Sequence, residues 1–275
     1  KYQILVIDNA STDGTYSFIK DLLIKNNFKN IDLIQEPKVG LSNARNLGLK
    51  VTSSEYIAFI DDDARVPENW IETALQIIDN YHPDIFGGPA YPIFPSGKPE
   101  WYKDEYGVRG DMGETGFINK GFIIGTNIFF RRELLIHYDG FDPELGMKGD
   151  NIGYHEETKI INRAFKENKK VFYSKELAVR DYIPDYKKSI AFFIYARYKS
   201  GSDRVILDEN EAIETELIEL IIKVDQLFKD FDNALMKRDL GKYPFPENYI
   251  VEKMRVKFVD LGKRIATVLK KYKNK

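Results

Sequence analysis

Three consecutive carboxylates directly after a short apolar run are the residues of this chain best suited to do chemistry. The run at 56–60 is typical of a buried strand, and Asp61, Asp62 and Asp63 follow it at once. Ligands of open α/β sheets bind beyond the carboxyl ends of the strands, which is where these acids fall. Carboxylate oxygens suit Mg²⁺ and Mn²⁺, and Mg²⁺ is commonly held by carboxylates together with substrate phosphates. The triplet therefore predicts a metal–phosphate site, although an isolated triplet is equally compatible with a solvated acidic turn.

Strand-like and helix-like segments alternate along the part of the chain that carries the triplet. Predicted strands lie at 3–7, 31–35, 56–60, 85–91, 123–130, 171–173 and 177–179, and predicted helices lie at 15–26, 41–51, 68–81 and 156–168. This alternation predicts an α/β fold with a mostly parallel central sheet flanked by helices. Because no Gly-x-Gly-x-x-Gly and no Walker lysine loop follows these strands, neither a dinucleotide site nor a P-loop is predicted.

The composition narrows the classes of protein to consider. The chain has 275 residues, of which 43% are hydrophobic and 31% are charged, as is ordinary for a globular protein with a real core. Its net charge of −2 gives no basic field for nucleic acid. Without cysteine there is no disulfide framework, thiolate nucleophile or cysteine-based zinc site. No apolar run reaches the length of a membrane span. We therefore expect a cytoplasmic protein, either free or held peripherally at the inner face of the membrane.

Six motifs occur in this chain in the order in which they occur in one enzyme family. They are VIDNASTDGT at 6–15, GLSNARN at 40–46, the acid triplet at 61–63, GTN at 125–127, RR at 131–132 with GFD at 140–142, and HEET at 155–158 with Arg163. Together they resemble the family 2 glycosyltransferases of the GT-A fold over roughly residues 3–201. The resemblance implies transfer of a sugar from a nucleotide-diphosphate donor to a hydroxyl of a glycan or a lipid-linked acceptor.

The resemblance also implies which residues bind the donor. Asp8, at the end of its strand, matches the family residue that accepts a hydrogen bond from the nucleotide base. Arg45 is expected to face the diphosphate, where a charge-assisted bidentate contact is valuable. An exposed helix arginine is its alternative interpretation. Gly125 and Asn127 of the GTN motif are expected to contact the substrate.

The acid triplet occupies the place of the family's Asp-x-Asp motif and is expected to hold Mn²⁺ or Mg²⁺. Asp63 is the first choice for direct ligation. Asp61 is expected at the ribose or donor sugar as well as near the metal, with Asp62 in support. Family members often carry a histidine ligand where this chain has Asp181. Two interpretations stay open there, because a carboxylate can replace the histidine as a ligand or the ligand can be lost.

Catalysis requires help for the leaving group and for the acceptor hydroxyl. A divalent ion that bridges the phosphates eases departure of the nucleotide, and a carboxylate base takes the hydroxyl proton. Glu157 matches the second acid of the family's catalytic pair, usually Asp, and Glu156 matches the first. A single base with direct attack implies inversion at the anomeric carbon. Without the resemblance, the two acids would be interpreted as first-turn residues whose negative charges interact favourably with the helix dipole.

The two ends of the chain depart from the family pattern. Family members begin with a strand and a helix that precede the Asp8 strand, so the catalytic domain expected at 1–205 is interpreted as N-terminally incomplete. Residues 206–275 form an expected helical appendage. Within it, 208–235 hold nine acids and two bases, net −7, whereas 250–275 hold nine bases and two acids, net +7. These segments favour an antiparallel helical hairpin, within one chain or between copies in a homo-oligomer. The alternative is a basic helix lying on an anionic membrane.

Two further function classes stay open beside the glycosyltransferase. A non-catalytic domain that binds sugar nucleotides as a scaffold would fit the incomplete start and the acid at position 181. A sugar nucleotidyltransferase shares a related α/β core, but it would carry a Gly-rich triphosphate loop ahead of a first strand. A glycosidase is disfavoured, because it needs two carboxylates that flank the bond and no nucleotide site.

Overall fold

The computed structural model describes residues 2–208, 212–236 and 243–273. The described strands are β1 (Ile4–Asp8), β2 (Ile31–Gln35), β3 (Tyr56–Ile60), β4 (Ala64–Arg65), β5 (Ile85–Gly87), β6 (Ala90–Ile93), β7 (Gly116–Ile118), β8 (Asn127–Arg131), β9 (Val171–Tyr173) and β10 (Val179–Tyr182). The described α-helices are α1 (Thr15–Asn26), α2 (Leu41–Val51), α3 (Trp70–Tyr81), α4 (Arg132–His137), α5 (Glu156–Lys166), α6 (Ile190–Leu207), α7 (Leu217–Met236), α8 (Pro246–Lys253) and α9 (Arg255–Lys273).

The central sheet has five strands in the order β3-β8-β5-β9-β7. Only the β5–β9 pair in it is parallel, while β8 runs antiparallel to both β3 and β5, and β7 runs antiparallel to β9. The α/β class is confirmed, but the prediction of a mostly parallel sheet is wrong for this sheet. The reason is the long excursion between β5 and β8, which brings the chain back to the sheet from the opposite end.

This antiparallel register decides where the acid triplet lies. Ile60 at the end of β3 pairs with Asn127 at the start of β8, so the residues after β3 meet the residues before β8. A smaller three-stranded sheet, in the order β4-β10-β6, begins directly after the acid triplet, because its strand β4 starts at Ala64. In it Asp181 pairs with Ala64, the residue that follows the triplet. Strands β1 and β2 form a parallel pair of their own.

Two apolar clusters cover the two faces of the central sheet. Phe86 of β5 and Phe129 of β8 stack with their ring centroids 4.3 Å apart, and α3 packs over them through Trp70. On the other face Phe130 packs with Ile161 of α5, and both are fully buried. The sheet is therefore the middle of three layers, with packed side chains on both of its faces.

Several predicted boundaries shift for local reasons. The strand predicted at 85–91 is two strands, β5 and β6. They are separated at Gly88, where a Cβ would lie 2.6 Å from the Ser174 carbonyl oxygen. The strand predicted at 123–130 begins only at Asn127, whose N–H closes a turn onto the Ile124 carbonyl. The short strands β4 and β7 were not predicted, because an alternation of apolar and polar residues cannot be recognised in two or three residues.

The C-terminal helices form the predicted antiparallel hairpin. Glu216, just before α7, pairs with Lys271 of α9 at 2.7 Å, and Asp230 of α7 pairs with Lys257. The residue nearer the start of α7 pairs near the end of α9, and the residue further along α7 pairs near the start of α9, as an antiparallel arrangement requires. None of the described helices combines the length and the apolar content needed to cross a membrane.

Helix α9 also crosses α6 at very short range, which was not predicted. A Cβ placed on Gly201 of α6 would lie 2.0 Å from the Val259 carbonyl oxygen, and one on Gly262 of α9 would lie 2.0 Å from the Tyr198 carbonyl oxygen. The glycines therefore let the two helix backbones touch. The division expected between residues 205 and 206 stays a prediction, and helix α6 continues through it to Leu207.

Candidate active site

The acids that the sequence singles out gather at one edge of the central sheet. Asp61 and Asp63 follow β3, and β10 places Asp181 beside them through its pairing with β4. Asp181 is 1% exposed, whereas the side chains of Asp61 and Asp63 are 31% and 29% exposed. Asp62 points into solvent. The edge therefore presents two accessible carboxylates above one buried carboxylate.

Asp61 is held from two sides. The Thr126 hydroxyl donates to Asp61 Oδ2 in a short hydrogen bond, and Arg45 Nη2 lies 3.4 Å from Asp61 Oδ1. Arg45 Nη2 also donates to the Gly125 carbonyl oxygen at 3.1 Å. A Cβ on Gly125 would lie 2.9 Å from the guanidinium, so this position admits only glycine while Arg45 stays in place.

Arg45 is buried between carboxylates rather than exposed to a ligand. It is 5% exposed, its Nη1 donates to Glu156 Oε1 at 2.9 Å, and its guanidinium lies over the Phe59 and Phe141 rings at 5.7 and 5.4 Å. A buried guanidinium that bridges two carboxylates, one through each Nη, fixes the relative position of its partners. The arrangement thus gives Arg45 a positioning role that the sequence did not predict, and its contact with a diphosphate stays a prediction.

Three polar side chains of the motifs at 6–15 and 40–46 dock α2 in the orientation that Arg45 requires. Asn9 Oδ1 accepts from the Gly40 N–H at 2.7 Å at the helix start. The Ser42 hydroxyl donates to the Leu145 carbonyl at 2.9 Å, and Asn46 exchanges two hydrogen bonds with the Phe141 backbone. The motif residues therefore clamp α2 to the 140–147 loop.

Each of the other two site acids faces a cation. Asp63 Oδ2 lies 3.3 Å from Lys187 Nζ. Asp181 Oδ2 lies 2.6 Å from Arg109 Nη2, at an angle that makes no hydrogen bond, and Asp181 Oδ1 is buried without a partner. Burial raises the pKa of Asp181, and Arg109 opposes that rise. Among the described residues no three His, Asp or Glu side chains converge closely enough to share one metal ion.

The donor set nevertheless fits a hard divalent cation in its chemistry. Asp61, Asp63 and Asp181 supply only carboxylate oxygens, which Mg²⁺ and Mn²⁺ prefer. The unpartnered Oδ1 of Asp181 is a buried acceptor that a cation would satisfy. As the side chains stand, Lys187 and Arg109 occupy part of the coordination that an ion would need.

The acidic pair opens α5 on the far side of Arg45. Glu156 is 5% exposed, and burial raises its pKa to about 7, with repulsion from Glu157 adding to the rise and Arg45 opposing it. Glu157 is half-buried. Both lie in the first turn of α5, where the helix dipole favours negative charge. The pair therefore combines a shielded carboxylate with a neighbour that is accessible to a substrate.

Asp8 ends β1 in a buried position. Its Oδ2 accepts from Gln35 Nε2 at 3.1 Å, while its Oδ1 is buried with no hydrogen-bond partner. An unsatisfied buried acceptor is suited to a donor N–H from a ligand. This observation is compatible with the predicted contact to a nucleotide base, which no contact in the structure tests.

Asn127 is where the structure corrects a predicted role. The residue is fully buried, its Oδ1 accepts from Trp70 Nε1 at 3.1 Å, and its Nδ2 donates to the Leu177 carbonyl. Both polar groups of the side chain are therefore used inside the protein, so the prediction of a substrate contact is wrong. Asn127 instead ties the start of β8 to α3 and to the segment before β10.

Reasoning from the sequence missed three residues of the site. Thr126 lies within the GTN motif, directly before Asn127, which pairs with Ile60, and Ile60 directly precedes Asp61. The motif was therefore the signal that could have identified Thr126. Arg109 and Lys187 lie in segments without periodic pattern. Their contacts join positions 72 and 124 residues apart in the chain, and no local signal announces such pairs.

Comparisons with known sequences identify the family to which this chain is similar. The family described as Glycosyl transferase family 2 matches residues 1–139. A glucosyl-dolichyl phosphate glucuronosyltransferase of Haloferax volcanii is 25% identical over 198 residues, which cover 67% of this chain and 62% of that protein. Glycosyltransferase GlyG of Streptococcus pneumoniae is 28% identical over 163 residues, which cover 53% of this chain and 54% of that protein. The chain thus spans between half and two thirds of these relatives.

Solved structures show the same fold. A mannosyltransferase of Pyrobaculum calidifontis in complex with GDP-Man and Mn²⁺ superposes with a TM-score of 0.55 at 16% identity, covering 99% of this chain and 78% of that one. Staphylococcus aureus TarS in complex with UDP-GlcNAc gives a TM-score of 0.50 at 18% identity, covering 98% and 83%. Both are GT-A glycosyltransferases, so the predicted GT-A fold is confirmed. Because the family match covers half of its length, this chain belongs to glycosyl transferase family 2.

Proposed function

We propose that the protein transfers a sugar from a nucleotide-diphosphate donor to a hydroxyl of a glycan or lipid-linked acceptor, with a divalent cation and with inversion. The observation that carries the proposal is the Arg45 bridge. One guanidinium joins Asp61 of the donor-side triplet to Glu156 of the acidic pair. Donor and acceptor chemistry are thereby fixed relative to each other by a single buried side chain.

On the donor side, Asp8 Oδ1 would accept from a base N–H. Asp63 would ligate Mn²⁺ or Mg²⁺ together with Asp61 or Asp181, because the three carboxylates as they stand do not converge on one ion. An ion held there would neutralise the charge of the departing diphosphate. Lys187 and Arg109 neutralise Asp63 and Asp181 in the present arrangement.

On the acceptor side, Glu157 takes the proton of the attacking hydroxyl. Its partial exposure lets a hydroxyl approach, and it lies in the first turn of α5, where the helix dipole favours a negative charge. Glu156 does not reach the substrate and positions its neighbour through Arg45. A single base with direct attack produces inversion.

The names of the relatives support the substrate classes. The Haloferax relative is named for a glucosyl-dolichyl phosphate, and the two solved structures hold UDP-GlcNAc and GDP-Man. A lipid-linked acceptor would bring the enzyme to the inner face of the membrane.

The first experiment distinguishes the catalytic base, Glu157, from the residue that positions it, Glu156. Glu157→Gln keeps the shape and removes the basicity, so sugar transfer should fall by about 10²–10⁴-fold while nucleotide affinity is retained. If Glu156→Gln were the inactive variant and Glu157→Gln kept full turnover, the two roles would be exchanged.

The metal is tested by binding alone. Asp63→Asn should abolish the Mn²⁺-dependent part of uridine or guanosine diphosphate affinity, measured by calorimetry with and without Mn²⁺. Asp79→Asn, an exposed acid of α3, is the matched control. Equal Mn²⁺ dependence of nucleotide affinity in both variants would show that Asp63 is not a metal ligand. If the wild type bound sugar nucleotides but transferred no sugar, the non-catalytic scaffold function would be favoured instead.

A further inference from the structure

The carboxylate of Glu157 has no side-chain support of its own. None of the hydrogen bonds and ion pairs among the described residues involves it, whereas its neighbour Glu156 accepts from Arg45 Nη1 at 2.9 Å. The half-buried Glu157 side chain therefore takes its position from the backbone at the start of α5. Whatever fixes that backbone also decides where the carboxylate can lie.

Helix α5 begins at a residue with an uncommon backbone conformation. The residue before its first turn is His155, with a φ of +76° and a ψ of +10°, in the left-handed region that residues other than glycine seldom adopt. The His155 side chain makes no hydrogen bond that caps the helix. Such a conformation persists only where the surrounding structure holds it, so the contacts of residues 154 and 155 determine how α5 starts.

One turn of α6 supplies these contacts. Asp203 is 5% exposed, its Oδ2 accepts from the Tyr154 backbone N–H at 3.0 Å, and its Oδ1 lies 3.3 Å from Lys199 Nζ. His155 Nε2 lies 3.1 Å from the Ser200 carbonyl oxygen, and because a carbonyl can only accept, the imidazole donates. Ser200 and Asp203 are three residues apart and so share one face of α6. Two consecutive residues directly before the acidic pair are therefore fastened to one face of this helix.

The same turn of α6 is held by α9. A Cβ on Gly201 would lie 2.0 Å from the Val259 carbonyl oxygen. A Cβ on Gly262 would lie 2.0 Å from the Tyr198 carbonyl oxygen and 2.8 Å from the Ser202 backbone nitrogen. Because the two backbones are already in contact, α6 has no room to move towards α9. The C-terminal helices thus support the turn of α6 that holds the start of α5.

We propose that Asp203 and His155 are positioning residues for sugar transfer, through which α6 sets the place from which Glu157 takes the acceptor proton. This rests on the proposed glycosyltransferase function. Arg45 holds the side chain of Glu156, and α6 holds the backbone that carries Glu157. A displacement of about 1 Å can cost on the order of 10²-fold in rate, so two hydrogen bonds that do not touch the substrate are sufficient to control turnover.

The first test separates turnover from donor binding. Asp203→Ala removes the acceptor for the Tyr154 N–H, so kcat should fall by about 10- to 100-fold, while uridine or guanosine diphosphate affinity, measured by calorimetry, should not change. Asp203→Asn keeps an oxygen that can accept from this N–H and should restore most of kcat. The proposal is overturned by an unchanged kcat in Asp203→Ala, by an equal loss in Asp203→Asn, or by a parallel loss of nucleotide affinity.

Glu167→Ala is the matched control, because it removes a hydrogen-bonded carboxylate at the opposite end of the same helix. Glu167 accepts from the Tyr138 hydroxyl at 2.8 Å and from Arg163 Nε at 2.9 Å, so its loss also weakens the contacts of α5. This variant should keep the wild-type kcat. A loss as large as that in Asp203→Ala would show that any damage to α5 lowers turnover, and would overturn the proposal.

His155→Asn tests the second contact independently of Asp203. Asparagine tolerates the left-handed conformation but is too short to reach the Ser200 carbonyl oxygen. The kcat of this variant should therefore fall while nucleotide affinity is kept. A fully active His155→Asn would remove His155 from the proposal.

A double-mutant cycle shows whether the effect passes through Glu157. Glu157→Gln already lacks the base, so adding Asp203→Ala should lower kcat little further. Two full and additive losses would show that Asp203 acts in another way, and would overturn the proposal. If Glu157→Gln alone keeps full turnover, the proposed catalytic base is rejected. An inactive Glu157→Gln beside a fully active Asp203→Ala rejects the positioning role alone.

Discussion

Replacing Glu156 by Gln should make the protein more stable at alkaline pH while leaving its acid stability almost unchanged. Burial raises the pKa of Glu156 from an ordinary 4.5 to about 7, with Glu157 adding to the rise and Arg45 opposing it. One unit of pKa shift corresponds to about 1.4 kcal/mol, so ionising Glu156 in the folded protein costs up to about 3 kcal/mol.

The sign of the effect follows from linkage. An acid whose pKa is raised by folding contributes its full stability below the unfolded pKa and loses it as the pH rises through the folded pKa. The wild type should therefore lose stability between about pH 4.5 and 7, whereas Glu156→Gln stays neutral throughout. The amide oxygen can still accept from Arg45 Nη1, which lies 2.9 Å from the present Oε1, so the fold should persist.

Urea unfolding of both proteins at several pH values from 4.5 to 8.5 measures the difference directly. The free energy of unfolding of the variant relative to the wild type should rise by up to about 3 kcal/mol over this range and level off above pH 7. Parallel pH profiles of the two proteins would refute the reasoning, because they would show that Glu156 ionises as easily in the folded chain as in the unfolded one. Glu133→Gln, at an exposed first-turn acid of α4, is the matched control for replacing a helix-start carboxylate by an amide outside the interior.

Two further substitutions test how the site is held. Gly262→Ala should lower the melting temperature although alanine normally favours a helix, because the added Cβ would lie 2.0 Å from the Tyr198 carbonyl oxygen and overpacking costs about 1–3 kcal/mol; an unchanged or raised melting temperature would contradict the close crossing. Asn127→Leu should cost about 1–3 kcal/mol in urea unfolding, since it leaves Trp70 Nε1 and the Leu177 carbonyl unpaired in the interior. A neutral result there would mean that water replaces the amide.

Local pattern was sufficient for the helices that begin after a glycine with positive φ. Helices α1 and α2 occupy the predicted residues, and each follows such a glycine, Gly14 at +88° and Gly40 at +137°. The acidic and basic stripes of the tail predicted an antiparallel pair, and ion pairs of the expected sign form it. In these places the structure of a segment depends on residues close to it in the chain, so it can be predicted from the sequence.

Contacts between segments that are distant in the chain could not be predicted from local sequence pattern. The direction of β8 depends on how the chain returns after β5, and the partners of Asp63 and Asp181 come from segments that have no period. The family resemblance predicts Arg45 at the diphosphate, and that contact stays a prediction; its observed partners, Glu156 and Asp61, lie 111 and 16 residues away in the chain, where no local pattern could identify them. The contact of α9 with α6 had a readable signal, two glycines inside helical segments, whose meaning depends on a partner that the sequence does not name.

The backbone contact at Gly201 and Gly262 has a consequence for how the C-terminal helices can change in sequence. Each glycine faces a carbonyl oxygen of the other helix rather than a side chain, so no substitution on the opposite helix can make room for a Cβ. A larger residue at either position can be accommodated only by moving one helix away from the other. The two glycines therefore behave as a single position, and losing either is equivalent to losing the crossing itself.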